Sequence, residues 1–459
     1  MKRKRYFVGM QVVLCFFCVG AHTQVLELPL TYERYPDAEE EYQFRPFGSA
    51  FLVPLSAPPE GEWKLPKLVS EHPLYAWVRI GEQERLLVLD QSDRNAAFYD
   101  RLYFDANANR DLTAGQVIDA RGVEADDGQY FSAFFRGIDT ETLVDGISLP
   151  YSFSIYVRYY SPERPSWGAR LRSFLTRSAG PKQPISMDRL NIYLSPHCMY
   201  TATLTLDDAV YQLYLGDSNA NGRFDDWGTI IERDEDSDHW MQTHGDTFYL
   251  TSEDAELGFY DGHLLGKYLN LKDSLYALDI SQTEERLTLT PVMDNAVEVA
   301  LPTSVHRITL MSDSGGVMSC MAGDVILAPP GTYRLRNYVL YHDEPNGARW
   351  RAIASGTWDS PETAITTGAD ATLAIGEPFR PIVSVPTWSR YNLEHHNDSV
   401  RLDLRVLGAG AEVISDLRCI DNVEESAIAM SEYGRPKEAT YRILMPDGEV
   451  VVQGKFEYG

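Results

Sequence analysis

The sequence predicts a mainly β protein: tandem β-sandwich-like domains with Asp/Asn-rich loops inserted between strands. Three observations predict it. Runs such as Tyr151-Ser-Phe-Ser-Ile-Tyr-Val-Arg-Tyr, Tyr200-Thr-Ala-Thr-Leu-Thr-Leu and Val400-Arg-Leu-Asp-Leu-Arg-Val-Leu alternate large and polar side chains with the period of a half-buried strand. These runs are short and are separated by Gly, Pro, Asn and Asp, as in sandwiches and barrels. Amphipathic helical periodicity is scarce, and the 27 tyrosines favour strands.

Taken in order, Lys2, Arg3, Lys4 and Arg5 precede an apolar stretch from Tyr6 to about Gly20, followed by small residues near Ala21. This is the layout of a cleaved signal peptide over residues 1–23, which places the chain outside the cell, in the periplasm or on the cell surface. Residues 24–184 are expected to form an N-terminal β-rich domain. Its last part, Pro162 to Pro184, is rich in Pro, Arg and Ser and reads as a linker. A second β-rich domain is expected over 185–303 and a small sandwich-like domain over 304–372. Within the latter, Pro329-Pro330-Gly331 is a turn feeding a strand, and His342-Asp-Glu-Pro-Asn-Gly347 is a hairpin tip. A C-terminal sandwich-like domain, 373–459, closes with strand, Asp447-Gly448 turn, strand.

The charge narrows the partners. With 41 Lys+Arg against 67 Asp+Glu the formal net charge is −26, which argues against nucleic acid or an anionic membrane surface. Removing the signal peptide takes away Lys2, Arg3, Lys4 and Arg5 and makes it −30. No later stretch is long and apolar enough to span a membrane. Of the five cysteines, Cys15 and Cys18 lie in the signal segment. That leaves Cys198, Cys320 and Cys419, widely spaced and without a zinc pattern. At most one intramolecular disulfide is available to them.

The strongest chemical signal is a repeat. Leu102-Tyr-Phe-Asp-Ala-Asn-Ala-Asn-Arg-Asp-Leu-Thr matches Leu213-Tyr-Leu-Gly-Asp-Ser-Asn-Ala-Asn-Gly-Arg-Phe-Asp, with leading aspartates Asp105 and Asp217 112 residues apart. The second copy has Asp217, Asn219 and Asn221 at positions 1, 3 and 5, Gly222 at position 6 and Asp225 at position 9. Oxygens at alternating positions converge when the backbone curls, as a hard cation with six to eight oxygen ligands requires. Arg223, at position 7, would offer its backbone carbonyl, and Asp225 or Asp226 would close the site. The first copy is weaker. Asp105, Asn107 and Asn109 fit, Asp111 would give its carbonyl and Thr113 takes position 9, but Arg110 replaces the glycine. The acidic run Asp234-Glu-Asp-Ser-Asp238 lies just beyond the second copy.

These residues resemble the calcium loops of EF-hands and dockerins, and the shorter Asp-x-Asn-x-Asn-Gly-x-x-Asp loops between strands of secreted bacterial β-proteins. The likeness covers about a dozen residues per loop. It departs from the EF-hand at position 12, where Gly228 replaces a bidentate Glu, and in its strand-like flanks. What it implies is bound Ca²⁺ in a structural role.

Catalytic signals are weak. Gly216-Asp-Ser-Asn219 and Asp236-Ser-Asp-His239 mimic the blocks of GDSL-type esterases. They sit only about twenty residues apart, and Ser218 falls inside the calcium-loop pattern. His395-His396 point to opposite faces if on a strand. A glycoside hydrolase needs only a carboxylate pair, which has no sequence motif. Trp227, Trp240, Trp350, Trp358 and Trp388 suit either sandwich cores or a carbohydrate platform. The expectation is an exported, non-catalytic calcium-binding protein with a surface or ligand-binding role. Its partner would be a carbohydrate or a cell-surface protein. A carbohydrate-binding module or glycoside hydrolase is the alternative.

Overall fold

The computed structural model describes residues 24–34, 49–94, 96, 98–126, 130–160, 186–206, 209–230, 243–252, 262–271, 274–292, 296–302, 305–312, 317–321, 324–357, 360–366, 370–386, 389, 401–421 and 434–457. The signal segment 1–23, the linker 162–184, the acidic run 234–238, His239, Trp240, Trp358, Trp388 and His395-His396 lie outside them.

Strand accounts for 62% and there is no α-helix among the described residues, so the protein is mainly β. The alternating runs become strands Ile147–Tyr160, Cys198–Leu206 and Asp403–Leu407. The Asn346-Gly347 tip joins Gly331–Asp343 to Arg349–Ser355, and the Asp447-Gly448 turn joins Thr440–Leu444 to Val450–Lys455. No helix among the described residues is long and apolar enough to cross a membrane.

Among the described residues, three five-stranded antiparallel sheets and a twelve-stranded sheet carry most of the chain. The large sheet joins the early strand Leu26–Pro29 to strands between Tyr268 and Pro291, and these to strands between Val305 and Asp421. Hydrogen-bonded strands therefore lie on both sides of residues 303 and 372, the expected domain boundaries.

The N-terminal half is organised around one long hairpin, Tyr130–Val144 and Ile147–Tyr160, closed by Asp145-Gly146 with both residues at positive φ. Alternation sorts its side chains. Phe131, Ala133, Phe135, Phe153, Ile155, Val157 and Tyr159 face a core shared with Ile192 and Leu194 of the neighbouring strand. Burying each of the larger apolar side chains among them stabilises the fold by roughly 1.5–3 kcal/mol. A second core lies under the strands from Val297 to Ile375. Trp350 is buried in a small separate cluster with Ala348 and Cys419, its Nε1–H donating to Glu344 at 2.9 Å, and Trp227 packs against the first core. The Cys198 and Cys419 thiols are free and buried.

Candidate metal centre

The two copies of the repeat leave equivalent strand ends. The first follows Arg101–Phe104, and the second follows Ala209–Gly216. Both curl the same way. Asp105 Oδ1 accepts the Asn109 N–H at 3.1 Å and Oδ2 the Arg110 N–H at 3.2 Å. Asp217 Oδ1 accepts the Asn221 N–H at 3.1 Å and Oδ2 the Gly222 N–H at 2.7 Å. Asn107 accepts from Asn109 as Asn219 does from Asn221, and Asn109 accepts from Asp111 as Asn221 does from Arg223. Positions 4 and 6 are left-handed in both loops: Ala108 at φ 54° and Arg110 at 63°, Ala220 at 57° and Gly222 at 82°. Each turn forms because a short Asp or Asn side chain bonds the backbone two residues on.

Both loops press against the long hairpin. At the first, the Ala106 carbonyl accepts the Thr140 hydroxyl at 2.6 Å. At the second, the Tyr151 hydroxyl donates to Asp217 Oδ2 at 2.7 Å, and the Gly81 N–H donates to the Asn221 carbonyl. Gly222 sits so close that a Cβ would lie 2.6 Å from Thr142 Oγ1 and 2.7 Å from Ile80 Cγ2. Arg110, at the matching position, fits because its loop faces water, and its guanidinium lies over Trp63 at 5.6 Å.

Beyond position 7 the loops part. In the first, the Thr113 N–H and hydroxyl both bond Asp111, whose other oxygen pairs with Lys64 at 3.1 Å. In the second, Asp226 closes the loop, accepting from the Asn219 and Asn221 amides at 2.9 and 2.6 Å. Asp225 does not face inward: it takes both arms of the Arg223 guanidinium at 2.9 Å. The Arg223 head also lies 3.7 Å from Asp145, so its charge is directed out of the loop.

Sequence reasoning missed the residue that completes this group. Asp246 is 1% exposed and lies across the sheet from Asp217, because Gly216 pairs with Thr247 on the adjoining strand. Its Oδ1 accepts the Ser218 N–H at 3.0 Å and its Oδ2 the Asp226 N–H at 2.9 Å. Gly228 stands where an EF-hand would have its last ligand. Here the segment bearing Asp246 crosses it, and a Cβ on Gly245 would meet the Gly228 Cα at 2.6 Å. The signal available in the sequence was only strand pairing: the residue opposite position 1 is acidic.

Burial dominates the electrostatics. Asp217 is fully buried, and desolvation pushes its carboxyl up to about 7 against the pull of the Tyr151, Gly222, Asn221 and Ala220 hydrogen bonds. Desolvation, and then the neighbouring Asp217 and Asp226 charges, hold Asp246 well above the usual carboxylate range. Among the described residues, none of these three carboxylates is salt-bridged to Lys, Arg or His. Nor does any group of three or more His, Cys, Asp or Glu among them stand at metal-ligand geometry. The Asn219 and Asn221 amide N–H groups occupy the space beside Asp226.

No family model, curated protein or solved structure matches this chain. The loop brings together two buried aspartates and a third, half-buried one that takes the two Asn amide N–H groups, while its arginine is turned away.

Ser218, from the esterase-like block, has its N–H on Asp246 and its hydroxyl against Thr247. Both partners belong to the loop's own scaffold.

Proposed function

We propose that this chain is an exported, non-catalytic protein whose N-terminal half is locked by a structural calcium ion. The ligands would be Asp217, Asn219, Asn221, Asp226 and Asp246, and the protein's role would be at the cell surface or in ligand binding. The observation that carries this reading is the buried charge: Asp217 and Asp246 lie buried beside Asp226, with no salt bridge among the described residues, and only the turned-away Arg223 bears on Asp226. Burying such carboxylates costs several kcal/mol each unless a cation or proton offsets it. A hard divalent ion suits an all-oxygen set, and the Asn219 and Asn221 amide oxygens would have to exchange their bonds to the Asn221 and Arg223 N–H groups for the ion. An ion bound only by the native fold adds about 2.7 kcal/mol at a hundredfold excess over its Kd. The test is the melting temperature in chelator and in millimolar calcium, for the wild type and Asp217→Ala. A rise of several degrees confined to the wild type is expected. Equal melting temperatures with and without calcium in the wild type would rule the ion out.

A second reading, carbohydrate binding, has one observation in its favour. The register places Phe51, Tyr193, Tyr156 and Phe134 in one row across four strands, with neighbouring ring centroids 5.7, 6.5 and 6.0 Å apart. Phe51 is 53% and the nearby Tyr160 47% exposed. Phe51 and Phe134 stand edge-on to their neighbours, and Arg136 and Arg158 lie over Phe134 and Tyr156, so Phe51 and Tyr193 are the rings that a sugar would meet. Retardation in polysaccharide-containing gels that is lost in Phe51→Ala and Tyr193→Ala is the expected outcome of that reading. Unchanged mobility across a panel of polysaccharides counts against it.

A further inference from the structure

We infer that Arg85 takes the place of a metal ion in the first loop, so that the chain carries one ion-dependent and one ion-free copy of the same turn. The inference rests on the calcium reading of the second loop. It starts from the sheet register. The strand Gln83–Asp90 runs beside the first loop as the strand Thr247–Ser252 runs beside the second. Each neighbouring segment brings one buried charged residue to the loop's first turn, Asp246 opposite Asp217 and Arg85 opposite Ala106, and the charges differ in sign. Beside Asp217 it delivers Asp246. Beside Asp105 it delivers Arg85.

Arg85 is 1% exposed and belongs to the loop's frame. Its Nη1 donates to the carbonyl of Ala106, position 2 of the loop, at 2.9 Å. Its Nη2 donates to Gln83 Oε1 at 2.6 Å and to the Glu141 carbonyl of the long hairpin. Its Nε has no hydrogen-bond partner. The charge that most favours the guanidinium is the carboxylate of Asp105, itself fully buried. Arg85 thus does part of what a bound cation would do: its charge is felt by the position-1 carboxylate without a direct ion pair, and its donors gather backbone carbonyls from the loop and the hairpin. An arginine holds its charge when buried and offers several donors in one plane, which suits that task.

The rest of the loop agrees. Asp111, the other acid, is paired with Lys64 at 3.1 Å, and the Asn107 and Asn109 side chains face water. The first loop is electrically balanced by the chain itself. The second brings together Asp217, Asp226 and Asp246 and sends its one arginine outward.

Two measurements on the full-length chain decide this. The first is calcium titration calorimetry of the wild type, Asp105→Asn and Asp217→Asn. One ion per chain is expected in the wild type and in Asp105→Asn, and none in Asp217→Asn. Two ions in the wild type, falling to one in Asp105→Asn, would overturn the assignment. The second is a double-mutant cycle of Arg85→Met and Asp105→Asn, read by urea unfolding in chelator. It reports on the Arg85–Asp105 pair whether or not the second loop binds calcium. A coupling of at least about tenfold in the unfolding equilibrium is expected for two neighbouring buried charges. Additive effects would overturn the pairing. Arg85→Lys, which keeps the charge, should retain more stability than Arg85→Met.

Discussion

Adding one methyl group at Gly222 should unseat the second loop. Gly222 sits at φ 82°, where an L side chain pays about 1–2 kcal/mol. The new Cβ would lie 2.6 Å from Thr142 Oγ1, 2.7 Å from Ile80 Cγ2 and 3.0 Å from the backbone N of Gly81. The last of these atoms is fixed, because its N–H bonds the Asn221 carbonyl. Overpacking of this kind costs about 1–3 kcal/mol more. Gly222→Ala should therefore lose roughly 2–5 kcal/mol, against the roughly half kilocalorie usual for a surface change. Arg110→Gly at the matching position of the first loop is the control. It relieves about 1 kcal/mol of backbone strain at φ 63° and loses a stacking contact of similar size with Trp63, so it should be close to neutral. The assay is urea unfolding in chelator, followed by tryptophan fluorescence. A Gly222→Ala midpoint equal to wild type, or an Arg110→Gly as damaging as Gly222→Ala, would refute the assignment of loop geometry.

Other outcomes follow from the same geometry. The Asp217 carboxyl is raised from 3.8 to about 7, so the folded chain holds a proton that the unfolded chain has already lost. In chelator its contribution is full below about pH 4 and disappears as pH rises through about 7, by a few kcal/mol in all. Unfolding midpoints at about pH 5 and about pH 8 should differ in that direction, less so in Asp217→Asn, and calcium should remove the loss. Asp246→Asn should weaken calcium at least about tenfold although it lies outside the motif, because affinity follows ligand charge. Asp225→Asn removes only a partly exposed ion pair and should change affinity and stability little. Calorimetry of the two variants side by side checks both. The Cys198 thiol, pushed up to about 12 chiefly by burial, should not react with a thiol reagent at about pH 8 until the protein is unfolded. Mass spectrometry of labelled peptides reads this directly.

The fold class was legible because strand alternation is local. Ile147–Tyr160 and Cys198–Leu206 state their two faces residue by residue. The loop repeat was legible for the same reason, since Asx turns are made between residues two to five apart. What decides the difference between the loops was not legible. Arg85 and Asp246 lie 20 and 29 residues from Asp105 and Asp217, and they arrive near them only through strand pairing. Among 67 acidic residues, nothing in the segment His244-Gly-Asp-Thr247 marks Asp246 as part of a site. Asp225 misled for a related reason. It occupies the expected position 9, yet an arginine two residues before it captures the carboxylate, and Asp226 closes the loop instead. The sheet that joins strands on both sides of residues 303 and 372 is likewise invisible to composition, because pairing across such distances leaves no local mark.

The most direct measurement is calcium titration calorimetry on the chelator-stripped chain beside Asp217→Ala. One ion per wild-type chain and no heat in the variant is the predicted result. No binding by the wild type at millimolar calcium would contradict it, and would leave the second loop as an Asn-rich turn.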